Sequence, residues 1–111
     1  MNTNKKETKY TLYLKDNYGL HLINTVTGED ELLENPDSHF QSAIEEADKY
    51  ISNHYNWKPA YYRFWVDDDK NGIKYMTIDF GSHSEFIVFY RTEDVFEKPG
   101  YGFTAENRRN K

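Results

Sequence analysis

Cysteine is absent from this chain of 111 residues, which excludes a disulfide framework, a thiolate zinc site, an iron–sulfur cluster and a cysteine nucleophile. Proline and glycine are scarce, at three and six residues. No glycine-rich phosphate loop can be assembled from them, because Gly100 and Gly102 precede no helical pattern. Long apolar runs are missing as well. No stretch approaches the roughly 18 residues of a membrane span, and the Asn/Lys-rich start lacks the apolar segment of a signal peptide. The expectation is a soluble, cytoplasmic protein with no membrane partner. The last absence is local: between Gly28 and Asp48 there is neither Lys nor Arg.

What is present is aromatic and charged. Ten Tyr, seven Phe and two Trp make up 17% of the chain, against 30% charged residues and a net charge of -5. Disordered segments are poor in aromatics, so a folded core is expected, and the length suits one domain spanning 1–111. Residues 1–7 and about 104–111 read as flexible tails, with Phe96, Tyr101 and Phe103 available to tack the C-terminal segment down. Ten Asn and ten Lys beside the ten Tyr suggest an AT-rich coding sequence, common in low-GC bacteria and their phages.

Period-two alternation from Lys9 to Lys15 and a return run from Leu20 to Val26 predict a hairpin around Asp16-Asn17-Tyr18-Gly19. Leu32-Leu33 either extends the sheet briefly or covers the core edge. Phe40, Ala43, Ile44, Ala47, Ile51 and Tyr55 recur at helical spacing, with Ser38 as N-cap, Gln41 completing a capping box and an end near residues 53–56. Three further alternating runs, at 60–67, 75–80 and 86–91, predict strands. The last is apolar on both sides, which places it centrally or under the tail. The order β-β-α-β-β-β predicts an α+β fold: an antiparallel sheet of about five strands with one amphipathic helix on a face.

The charge is polarised. Glu29, Asp30, Glu31, Glu34, Asp37, Glu45, Glu46 and Asp48 give the segment -8, while Lys5, Lys6, Lys9, Lys15, Arg108, Arg109 and Lys111 make the ends basic. These eight carboxylates form the first candidate partner-binding surface, provided that they share an exposed patch. Tyr61, Arg63 and Trp65, alternating on one strand face with Tyr75 and Thr77 beside them, form the second.

Other motifs carry less. Asp67-x-Asp69-x-Asn71-Gly72 resembles the first half of an EF-hand calcium loop, but Ile78 stands where the closing Glu belongs and the flanks alternate as strands. A polar hairpin turn explains the same residues. His21, His39, His54 and His83 share no ligand spacing, and Ser82-His83-Ser84 lacks a nucleophile elbow. No catalytic residue, metal site or cofactor is expected.

The function that fits best is a non-catalytic acidic module that binds a basic protein surface, such as that of a nucleic-acid-binding enzyme, by steric block or DNA mimicry. In size, acidity and lack of Cys the chain is similar to the small inhibitors of phages and mobile elements, anti-CRISPR proteins among them. Three alternatives stand beside it. One is a nucleic-acid binder using the basic termini and the aromatic sheet face, which a sequence pI near 5.3 opposes. Another is a small enzyme or ligand-binding protein with an aromatic pocket. The last is a homodimer pairing through an outer strand.

Overall fold

The computed structural model describes residues 7–97. Five strands, β1 (Glu7–Asp16), β2 (Gly19–Glu29), β3 (Arg63–Asp68), β4 (Lys74–Asp79) and β5 (Phe86–Arg91), surround one helix in sequence, α1 (Pro36–His54). A π-helical turn, Glu93–Glu97, follows β5. The fold is α+β: the strands form one antiparallel sheet in the order β2-β1-β5-β4-β3. A hairpin (β1–β2) and a meander (β3–β4–β5) are each local. They join through β1 and β5, where Tyr10 pairs with Arg91 and Lys15 with Phe86. The apolar β5 is therefore central, and α1 links the two outer strands.

The helix starts earlier than the capping box implies. Asn35 is the N-cap and Pro36 takes the first turn, where its fixed φ and missing N–H cost nothing. Ser38 is inside the helix, its N–H donating to the Asn35 carbonyl, and the Gln41 side chain donates to Glu45 instead of capping. The helix ends at Tyr55, whose N–H closes on the Ile51 carbonyl. β3 begins at Arg63, three residues later than the alternation suggested. Glu7 is already in β1. The roles expected of Tyr101, Phe103 and residues 104–111 lie outside the described residues, as does the Phe96 side chain.

Ala43, Ala47 and Ile51 are buried along α1, and the two alanines let the helix approach the sheet closely. They meet Tyr10, Leu12, Met76, Ile78, Phe80, Ile87 and Phe89, with Leu32 and Leu33 closing the core from the β2–α1 turn. Phe40 stacks on Phe64 at 5.0 Å. The opposite sheet face is covered at its centre: Tyr13, Val88 and Tyr90 are buried with Val95, which the π-helical turn folds back over them. Tyr75 stacks on Tyr90 at 5.1 Å.

Tyr10 ties the core to the acidic segment. Its ring packs where a Cβ on Gly28 would stand 3.2 Å away, and its hydroxyl donates to the Glu29 carbonyl at 2.5 Å. Burial pushes the Tyr10 phenol up to about 12, against the pull of Arg91, and burial alone does the same to Tyr13. An unfolded tyrosine ionises near 10, so between pH ~10 and ~12 the unfolded chain sheds protons that the fold keeps. Stability is full below that window and falls through it. The expected result is a loss of thermal stability between pH 10 and 12 that Tyr13→Phe partly removes, read from Tm against pH. A flat profile would contradict the buried phenols.

Candidate functional site

The turn joining β2 to α1 carries three of the acidic residues, Asp30, Glu31 and Glu34, and a cation from the sheet centre holds it. Arg91 Nη2 donates to both carboxylate oxygens of Glu34, at 2.5 and 2.7 Å, and to the Asp30 carbonyl at 3.1 Å. Burial pulls the Arg91 guanidinium down, but the bonds and charge of Glu34 outweigh it and leave it more basic than usual. The Asp30 carboxylate accepts from the Thr8 hydroxyl. His39, on the first turn of α1, points back between two acids: Nδ1 is 2.7 Å from Glu29 Oε1 and Nε2 is 3.9 Å from Glu31 Oε1. The nearer contact is close but misaligned for a hydrogen bond.

The helix acids diverge. At 100° per residue Glu46 and Asp48 fall on opposite flanks of the buried stripe, with Glu45 on the outer face between them. Glu46 lies over β2, beside Thr27 and Gly28, and pairs with Lys49 at 3.4 Å. Asp48 accepts from the Tyr62 hydroxyl at 2.7 Å on the β3 side. Asp37 is exposed in the first turn, where a carboxylate suits the helix dipole. The eight carboxylates thus do not share one exposed patch; they spread as a band from the β2–α1 turn over the outer face and both flanks of the helix. Glu31, Glu34, Asp37, Glu45 and Asp48 are exposed; Glu29, Asp30 and Glu46 are half-buried. Among the described residues, Arg91 and Lys49 are the only Arg or Lys side chains that pair with them.

Of the second candidate surface, Arg63 and Trp65 lie on the sheet face away from α1, and Tyr61 precedes β3. Tyr61 is 52% and Trp65 39% exposed, and Trp65 packs edge-on to Phe86 at 6.4 Å. The Arg63 guanidinium sits 5.7 Å from the Tyr61 ring centre. It also donates through Nε and Nη2 to Asp79 at 3.1 and 2.6 Å. The Gly81 N–H first, and then Arg63, hold the Asp79 carboxyl below the usual range despite its burial. Asp79 alternates with the strand's apolar positions as a surface residue would, yet it is 5% exposed.

The Asp67–Gly72 segment is a hairpin turn. The Asp69 carboxylate accepts from the Asn71 and Ile73 N–H groups at 2.8 and 3.0 Å, turning it inward onto the backbone, and Gly72 adopts φ +81°. Among the described residues, no three His, Asp or Glu side chains converge as metal ligands. A groove lies between β2 and α1, lined by Ile23, Asn24, Glu46, Lys49, Tyr50 and Asn53. Among the described residues, no helix is long and apolar enough to cross a membrane.

Arg91 and His39 were not legible as site residues. Arg91 is 57 residues from Glu34, so only the sheet topology reveals the pair. His39 had a local signal in its position among acids, although the turn that aims it was not readable. No family model, curated protein or solved structure matches the chain.

Proposed function

We propose that the protein is a non-catalytic binding module whose acidic band docks on a basic protein surface, that of a nucleic-acid-handling enzyme, and excludes its substrate. The observation that carries this reading is the shortage of cations: of eight carboxylates, only Glu34 and Glu46 pair with Arg or Lys among the described residues. The remaining carboxylates meet neutral donors, Thr8 and Tyr62, which orient them without cancelling their field. Carboxylates held on a folded scaffold meet Lys and Arg side chains with little ordering cost, as a duplex backbone does. The same band disfavours direct binding to nucleic acid. Arg63, the cation of the aromatic face, is engaged by Asp79 and does not alter that balance.

The test uses the whole chain as bait in nuclease-treated bacterial extracts, with duplex DNA as competitor. The expected result is retention of a basic nucleic-acid-handling enzyme that duplex DNA displaces, while the protein alone does not retard oligonucleotides at low salt. Retarded oligonucleotides would favour a direct nucleic-acid binder. Capture that duplex DNA leaves intact would remove the idea of a shared binding channel.

A further inference from the structure

The two edges of the sheet differ in a way that points to a second copy of the chain. β3 is short, at 6 residues, and carries Arg63, Asp67 and Asp68, the charges that keep an edge solitary. β2 is the longest strand at 11 residues, and from Leu20 to Gly28 it contains no Asp, Glu, Lys, Arg or Pro. Its one irregularity is the register shift that leaves Ile23 without an opposite residue on β1. Leu22 is 63% exposed, and Asn24, Thr25 and Thr27 are exposed as well. No described residue other than those of β1 pairs with β2 in the sheet.

We infer that β2 is a self-association edge on which a second copy lays its own β2 antiparallel to the first. A two-fold axis perpendicular to the sheet turns any strand into its own antiparallel neighbour, so a single surface serves both partners. Charge selects the same edge. The chain carries -5, and copies meeting through the helix face would oppose acid with acid. Along Leu20–Gly28 of β2 they meet without Asp, Glu, Lys or Arg, and where α1 overhangs the strand Glu46 pairs with Lys49. The groove lined by Ile23, Asn24, Lys49 and Tyr50 runs beside this edge and offers side-chain contacts beyond the backbone ladder. The axis keeps both helices on one face of a continuous ten-stranded sheet, which sets two acidic bands side by side. The inference does not depend on what those bands bind.

Light scattering after gel filtration at about 100 μM, where micromolar association is nearly complete, tests it. The expected mass is twice 13.3 kDa. A Leu22→Lys/Thr25→Lys variant is expected to fall to the mass of one chain with an unchanged circular dichroism spectrum, whereas Trp65→Lys on the β3 edge remains dimeric. A wild-type monomer, a dimer that survives the β2 lysines, or one that Trp65→Lys dissolves overturns the inference. Should the double variant not fold, amide exchange on the wild-type chain decides. β2 amides that exchange faster on dilution to about 1 μM support the edge, and protection that ignores concentration contradicts it.

Discussion

The triple variant Glu31→Lys/Asp37→Lys/Glu45→Lys will bind the captured partner at least ~100-fold more weakly than the parent protein, which corresponds to about 3 kcal/mol. These three carboxylates are exposed and have no Arg or Lys partner among the described residues. Reversal therefore removes attraction and adds repulsion without breaking the Arg91–Glu34 clamp. The fold has little to lose. Asp37 favours the first turn of α1, so its reversal costs about 0.3–1 kcal/mol, and the other two changes stay within about 0.5 kcal/mol each. The loss should appear mainly as a slower association rate and a shallower dependence on salt. Affinity within twofold of the parent, measured on a folded variant by surface plasmon resonance at two ionic strengths, would reduce the acids to a solubilising role.

Phe80→Ala is expected to cost about 3–5 kcal/mol, a large share of the ~5–15 kcal/mol that holds a domain of this size. Phe80 is fully buried just beyond β4, and its ring meets Tyr55 at 5.6 Å and Trp57 at 6.0 Å. Removing it leaves a cavity under the α1–β3 connection and frees Trp57, which is 42% exposed and stacked on Phe80 at 25°. The Tyr55 hydroxyl, which donates to Glu85 at 2.5 Å, cannot move inward to fill the space without leaving that acceptor. Chemical denaturation should show a lower midpoint with a similar slope, and tryptophan emission should shift to the red in the native state. A cost below about 1 kcal/mol would mean that this aromatic cluster is peripheral to the core.

Much of this architecture is written locally. The α1 stripe of Ala43, Ala47 and Ile51, the alternation of β4 and β5 and the hairpin at residues 16–19 all depend on neighbours in sequence, and each forms where the pattern places it. The two-sided burial of β5 followed from its apolar faces. The helix start was misread because Asn35-Pro36 signals a break and a first helical turn equally well. Residues 60–62 alternate like a strand but do not join the sheet, since alternation reports side-chain burial and not ladder pairing. The full strand order was not legible, because pairing β1 with β5 joins residues some eighty positions apart.

The candidate site divides along the same line. Charge density between Glu29 and Asp48 was visible in the composition. Its distribution was not, because helix phase sends Glu46 towards β2 and Asp48 towards Tyr62 on the other flank. The clamp on the acidic turn comes from a residue at the end of β5, and the acid that engages Arg63 is buried in β4. In each case the partner is set by tertiary contact.

The acidic band's role is measured most directly by amide exchange on the complex with the captured enzyme, compared with the free chain. The account predicts protection over the β2–α1 turn and the first three turns of α1, with β3 and the Tyr61–Trp65 face unchanged. Protection confined to β3 and the aromatic face, with the band exchanging as in the free chain, would contradict it.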